Sequence, residues 1–127
     1  MAAAQKRVLL ADDEPAILKI IGKRLEVAGF HVIAAMDGQA ALLKAHQESP
    51  DLIILDVMMP QLDGFEVCTR LKQDPRFKHI PVIMFTAKDQ DEDYWKGKAC
   101  GADAFISKPA GAQALDQLVS RMIEALQ

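Results

Sequence analysis

Leu52-Ile53-Ile54-Leu55-Asp56-Val57-Met58-Met59-Pro60-Gln61-Leu62-Asp63-Gly64 holds four large apolar residues in a row, an aspartate directly behind them, and a closing segment with Pro60 and Asp63-Gly64. An apolar run without alternation, bounded by turn formers, reads as a strand buried on both faces, the kind found in parallel sheets. Asp56 then stands at the carboxyl end of that strand. In open α/β sheets this edge is where ligands bind, because its loops form a crevice and the following helices aim their N-termini at it. An aspartate there also serves simply to end a strand or cap a helix, so the other strand ends have to be compared with it.

Outward from this stretch, the chain of 127 residues is long enough for one domain that buries most of its surface unaided. Half the residues are apolar, 26% are charged and the formal net charge is −3, so no basic surface points to nucleic acid. Cys68 and Cys100 fall in helical patterns without metal-ligand spacing, which predicts buried, reduced thiols and a cytoplasmic location. His31, His46 and His79 form no ligand pattern and are expected to be structural or exposed. No apolar run is long enough to cross a bilayer, and Lys6-Arg7 follows the short Ala2-Ala3-Ala4 rather than preceding it, unlike a signal peptide.

Val8–Ala11 is predicted as the first strand, delivering Asp12-Asp13-Glu14 ahead of Pro15. Proline suits a first helical turn and the acids suit the positive end of its dipole, so a helix starts there, with Ile17, Ile21, Leu25 and Ala28 inward and Gly29 as left-handed cap. His31–Ala35 is the second strand. Asp37 caps a helix that carries Leu42 and Ala45 inward and ends before Ser49-Pro50. Asp63-Gly64 opens a third helix with Phe65, Cys68 and Leu71 on one side, closed by Asp74-Pro75. Val82–Phe85 is the fourth strand, running into Thr86-Ala87-Lys88. A fourth helix is expected over 89–100, acidic first and basic last, though Gly97 and a thin apolar stripe weaken it. Ala104–Ile106 is a short fifth strand ending in Ser107-Lys108-Pro109. The last helix buries Leu115, Leu118, Val119, Met122, Ile123 and Leu126 along one wide face.

Five strand and helix alternations with short connections predict an α/β fold, a flavodoxin-like (βα)5 three-layer sandwich around a parallel sheet. Alternation alone does not fix strand order. The order 2-1-3-4-5 is the economical one for this length, and it puts the first and third strands together at the centre.

With that order, Asp12, Asp13 and Asp56 converge, with Thr86 and Lys108 beside them. Three carboxylates held close repel one another and call for a cation. An all-oxygen set without histidine or cysteine suits Mg²⁺ or Mn²⁺ and argues against zinc. A metal, a hydroxyl and an ammonium together suit phosphoryl transfer, and the central carboxylate can serve as nucleophile, giving an aspartyl phosphate. An acid pair after one strand usually caps a helix, and Lys-Pro alone is usually an exposed turn. Acids, Thr and Lys following four strands in turn are a different matter.

These residues resemble the receiver domain of two-component response regulators, including the stand-alone chemotaxis type, over Val8 to Leu126. Asp12-Asp13 resembles the family's acid pair, Asp56 its phosphoacceptor, Thr86 its switch hydroxyl and Lys108 its lysine, with Pro109 at the proline that usually follows through a cis peptide. Met58-Met59-Pro60, Asp63-Gly64 and Gly101-Ala102-Asp103 are similar to family turns. The resemblance implies that residues 1–127 form a single receiver domain, and that Asp13, Asp56 and the Met58 carbonyl ligate Mg²⁺ while Asp12 acts through water. It implies a histidine kinase or phosphotransfer domain as phosphodonor, with Asp56 attacking in line. Thr86 and Phe105 then act as switch residues, and the surface of the fourth helix, fifth strand and fifth helix is read by a downstream protein. The chain is then a monomer or a weak phosphorylation-dependent dimer, with no membrane or direct nucleic-acid partner. It is not an enzyme beyond phosphorylating and slowly dephosphorylating itself. Met58 and Lys88 occupy the positions that set the lifetime of the phosphorylated state, and slow loss is expected. Phe105 lacks the hydroxyl of tyrosine members, so packing alone carries its part.

Three rivals differ at particular residues. A haloacid-dehalogenase-type phosphohydrolase needs an acid two residues after its nucleophile, where this chain has Met58. A phosphorylation-independent pseudo-receiver has no need for the full reactive set. A flavin-binding domain needs a Ser, Thr and Gly loop after the first strand, where acids would repel a phosphate. Ala110-Gly111-Ala112-Gln113-Ala114 lacks the Phe and Glu usual in transcription-factor receivers, so a stand-alone regulator and a receiver cut from a longer protein both remain open.

Overall fold

The computed structural model describes residues 5–86, 99–108 and 112–125, with Thr86 described by its backbone only. The strands are β1 (Arg7–Ala11), β2 (His31–Ala35), β3 (Leu52–Leu55), β4 (Val82–Thr86) and β5 (Ala104–Ser107). The described helices are α1 (Pro15–Val27), α2 (Gly38–Glu48), α3 (Gly64–Gln73) and α4 (Ala112–Ala125), the last being the carboxyl-terminal helix. The helix expected over 89–100, with Lys88 and Trp95, lies outside the described residues except at its end, as do Pro109 and Leu126.

All pairings are parallel and the sheet order is β2-β1-β3-β4-β5, as the economical arrangement predicts. Side chains of a strand alternate between faces, and the two core layers follow that period of two. Leu9, Ile53, Leu55, Val82 and Met84 pack under α2 and α3 with Ala41, Ala45, Val67, Cys68 and Leu71. Val8, Leu10, Leu52, Ile54, Ile83 and Phe85 pack under α1 and α4 with Ile21, Leu25, Leu115, Val119 and Ile123. Leu52 to Leu55 are buried without exception. This is why the run shows no polar alternation: both of its faces are core, and each such Leu or Ile contributes roughly 1.5–3 kcal/mol by leaving water.

The helix ends follow local chemistry. Asp37 accepts from the Ala40 amide at 2.7 Å, and Asp63 from the Glu66 amide at 2.9 Å. Each satisfies a donor that has no partner in its own helix. At the end of α1, Gly29 has φ 102, its amide donates to Glu26, and the Phe30 amide donates to Leu25. That is a Schellman closure, and Phe30 packs in the same layer as Leu25. The start of α1 differs from the expectation of acidic capping. Its N-cap residue Glu14 makes no side-chain cap, and Asp12 instead accepts from the Glu14 amide at 2.9 Å.

Some expected core positions move outward. Ala28 is the exposed cap residue of α1, because the helix ends one residue earlier than its apolar spacing suggests. Leu42 and Phe65 are half-buried, and the deeper positions go to Ala41 and Val67. Cys68 and Cys100 are buried free thiols, with the Cys68 thiol donating to the Cys100 carbonyl at 3.4 Å. Hydrogen bonding with Cys100, then burial, pushes the Cys68 thiol far up, so it stays protonated. His31, His46 and His79 are exposed, and the His46 ring meets Phe77 edge-on at 4.7 Å.

Among the described residues, three ion pairs away from the carboxyl edge of the sheet join distant segments. Arg24 pairs with Asp116 between α1 and α4 at 2.7 Å, and Arg7 pairs with Glu48 at the amino edge of the sheet. The third is a hub. Lys72, on α3, donates to the carbonyls of Ile80 and Lys78 at 2.8 and 3.2 Å and to Asp103 at 2.8 Å, while the same Asp103 oxygen accepts from the Val82 amide. It fixes where β4 and β5 enter the sheet.

Candidate functional site

The carboxyl edge is assembled by strand register. Ala11 pairs with Leu55, and beyond that pair the Asp56 amide donates to the Ala11 carbonyl at 2.9 Å while the Asp12 amide donates to Ala35 at 3.0 Å. Asp12 keeps the alternation of Val8 and Leu10, and Asp56 that of Leu52 and Ile54. Their side chains therefore leave the two central strands on the same side. Lys108 keeps the alternation of Ile106, which packs on that side too.

The result is a compact cluster. One carboxylate oxygen from each of Asp12, Asp13 and Asp56 lies within 4.8 Å of the others. Asp12 is 1% exposed and Asp56 4%, whereas Asp13 faces solvent. The Lys108 ammonium stands 2.8 Å from Asp12, 3.5 Å from Asp56 and 3.3 Å from Glu14. Burial alone, the largest single influence on Lys108, would favour its neutral form. The hydrogen bond to Asp12, the charges of Asp56 and Asp12 and the bond to Glu14 together outweigh it, and the pKa rises above the ordinary lysine value. One ammonium thus faces three carboxylates, with Asp13 a further acid beside them, and the cluster keeps a net negative charge.

Such a set fits a hard divalent cation. Octahedral Mg²⁺ holds its oxygens at 2.0–2.1 Å, which puts neighbouring ligands about 2.9 Å and opposite ligands about 4.2 Å apart. Oxygens already gathered within 4.8 Å need only a small contraction to reach that geometry.

Glu14 is the participant that sequence reasoning missed. It reads locally as part of a helix start, and its contact with Lys108 spans 94 residues of chain. The usable signal was its adjacency to the acid pair. Of the other predicted site residues, the Thr86 backbone ends β4 in register with Ser107, one residue before Lys108. The Met58 side chain is 56% exposed just past β3. Phe105 is half-buried against the α2 and α3 layer. Lys88 lies outside the described residues.

Acids after the first and third strands of a 2-1-3-4-5 sheet, with a lysine after the fifth, define a doubly wound α/β domain with a cation-ready carboxylate cluster at its switch point. The family model for the response regulator receiver domain matches residues 8–120, and the chain belongs to that family. Over 118 residues it is 42% identical to the alkaline phosphatase synthesis transcriptional regulatory protein PhoP of Bacillus subtilis, covering 93% of this chain and 48% of that protein. Over 103 residues it is 45% identical to the response regulator PleD of Caulobacter vibrioides, covering 81% of this chain and 23% of that protein. The chain thus spans about half the length of these curated relatives, or less. Among solved structures, the chemotaxis protein CheY4 of Vibrio cholerae superposes with a TM-score of 0.86 at 35% identity, covering 93% of this chain and 98% of that one. Among the described residues, no helix is long and apolar enough to cross a membrane.

Proposed function

We propose that residues 1–127 work as one cytoplasmic receiver domain in which Asp56 accepts a phosphoryl group from the phosphohistidine of a histidine kinase or phosphotransfer domain. The observation that carries this is the convergence of Asp56 with Asp12, Asp13 and Lys108 at the ends of three strands. Asp13, Asp56 and the Met58 carbonyl would hold Mg²⁺, or Mn²⁺, with Asp12 acting through water. The bound ion supplies positive charge to the phosphoryl oxygens.

Asp56 attacks phosphorus in line. Its carboxylate oxygen forms the new bond as the bond from phosphorus to the donor imidazole nitrogen breaks, and the imidazole leaves with a proton from solvent. Lys108 supplies a fixed positive charge for the phosphoryl oxygens, held ready by the acids that now surround it. The Thr86 hydroxyl then turns toward the phosphoryl group and Phe105 moves into the space it leaves. The surface of the predicted fourth helix, β5 and α4 changes with them and is read by a downstream protein, the chain being a monomer or a weak phosphorylation-dependent dimer. No direct contact with nucleic acid enters this reading, and no chemistry beyond self-phosphorylation and slow self-dephosphorylation. Met58, in place of an acid, does not favour a haloacid-dehalogenase-type hydrolase.

Incubation with acetyl phosphate, with and without Mg²⁺, followed by intact mass measurement tests the reading. A Mg²⁺-dependent phosphoryl adduct is expected. A wild-type protein that takes up none is a pseudo-receiver.

The exposed, unbranched Met58 has the rotamer freedom to lie over a phosphoryl group and exclude water, with Lys88 as the second lifetime position. Met58→Asn is expected to speed loss of phosphate about three- to ten-fold, followed by the decay of the intact-mass adduct. An unchanged or slower decay removes the shielding role.

A further inference from the structure

The loop that follows Asp56 is pinned at two points by glycines at helix starts. At its near end the Gly64 amide donates to the Val57 carbonyl at 2.9 Å, and a Cβ on Gly64 would lie 2.1 Å from the Asp56 carbonyl oxygen. At its far end the Gly38 amide donates to the Pro60 carbonyl at 3.2 Å. A Cβ on Gly38 would lie 2.0 Å from the Leu62 carbonyl oxygen and 2.6 Å from the Leu62 Cβ, inside any distance real atoms tolerate. The same Pro60 carbonyl accepts from the Leu62 amide at 2.9 Å, closing a three-residue turn in which Gln61 sits at φ 72. A non-glycine residue is strained there and persists only where its surroundings impose it.

Val57 and Met59 anchor the near half of the loop in the α2 and α3 layer, but the turn itself gets little from its own side chains, since Pro60 and Gln61 are exposed and Leu62 is only half-buried. The grip at this end comes from the start of α2, which Asp37 caps. We propose that Gly38 is a positioning residue for the cation site: having no side chain, it lets α2 seat on the turn of residues 60–62 and so holds the Met58 carbonyl where the ion needs it. This rests on reading Asp12, Asp13, Asp56 and Met58 as a Mg²⁺ site.

Gly38→Ala is expected to weaken binding and to lower stability as well, because the clash is with backbone atoms that cannot swing aside. Alanine at Gly38 would force α2 and the turn apart by about 1 Å, while metal ligands tolerate displacements of about 0.2 Å. Alanine is also the better helix residue, which offsets a small part of the strain. Gly22 is the matched control, because a Cβ there meets only Val32 Cγ1 at an ordinary 3.8 Å.

Mg²⁺ titrated calorimetrically into the full chain, with thermal melts alongside, tests the proposal on wild type, Gly38→Ala and Gly22→Ala. Gly38→Ala is expected to bind Mg²⁺ at least ten-fold more weakly, and its phosphorylation by acetyl phosphate to recover at saturating Mg²⁺. Gly22→Ala is expected to bind as wild type does. Affinity within two-fold of wild type in Gly38→Ala overturns the proposal and leaves the cation site standing. Wild-type protein that binds no Mg²⁺ overturns both. Should Gly38→Ala fail to fold, nuclear magnetic resonance on the wild type is the second measurement: the Gly38 amide is expected to shift with the same half-saturation as the Asp56 amide, and an unmoved Gly38 signal overturns the proposal.

Discussion

Asp56→Asn is expected to abolish the phosphoryl adduct and, in the presence of a chelator, to make the protein harder to unfold. Loss of the adduct follows because an amide oxygen is no nucleophile toward phosphorus, and intact mass after acetyl phosphate is the measurement. The gain in stability is the less obvious half. Oxygens of Asp12, Asp13 and Asp56 lie within 4.8 Å of one another, so each repulsive pair costs at least about 3 kcal/mol at an effective dielectric of 20. The substitution removes two such pairs. Against this stands the attraction to Lys108 at 3.5 Å, of about 5 kcal/mol on the same scale. These terms nearly cancel, and the relief of burying one carboxylate fewer tips the balance toward the variant. Excess Mg²⁺ should close or reverse the gap, since ligand binding stabilises only the protein that binds it. Urea melts in chelator and in Mg²⁺ check this, and a variant that unfolds more easily in chelator contradicts the electrostatic account.

Lys108→Met should move the two properties the other way. Without the ammonium 2.8 Å from Asp12, buried carboxylates face one another uncompensated, and a loss of about 3 kcal/mol is expected in chelator. Mg²⁺ should recover much of it, and the variant should bind Mg²⁺ more tightly than wild type because the competing cation is gone. Phosphorylation should nevertheless slow about 100-fold or more, since the fixed charge that meets the phosphoryl oxygens is lost. Titration calorimetry and the time course of the adduct separate these effects. The pH dependence has a definite sign. A lysine pKa raised by folding contributes stability in full below its ordinary value of 10.5 and loses that contribution as pH rises through the folded value. Lys108 therefore stays charged across the neutral range, and wild-type phosphorylation should show no alkaline decline from this group there.

Local rules carried much of the fold because they act over two to four residues. Asp37, Asp63 and Gly29 sit where capping chemistry requires them, and the unbroken run Leu52 to Leu55 announced a strand with core on both faces. The site was legible for the same reason: an acid or a lysine directly after a strand is at the sheet's carboxyl edge whatever lies elsewhere. Where local rules failed, a longer contact had won. Ala28 is exposed because Gly29 and Phe30 close α1 through bonds to Glu26 and Leu25, ending the helix before its apolar spacing runs out. Leu42 and Phe65 give up the deepest positions because the helix pair α2 and α3 seats small or compact residues, Ala41 and Val67, against the sheet.

The residue pattern of this chain thus fixes four strand ends and what they carry: Asp12, Asp13, Asp56, Thr86 and Lys108 are set by position alone, because periodicity and capping are short-range. Which of those ends face one another is settled by the register of β1 against β3 and by the alternation of side chains beyond the paired residues. Only that packing brings Glu14 to Lys108 across 94 residues, ties Lys72 to Asp103, and seats Gly38 on the loop behind Asp56. These contacts depend on how whole elements dock, and no spacing within the chain encodes a distance between two helices.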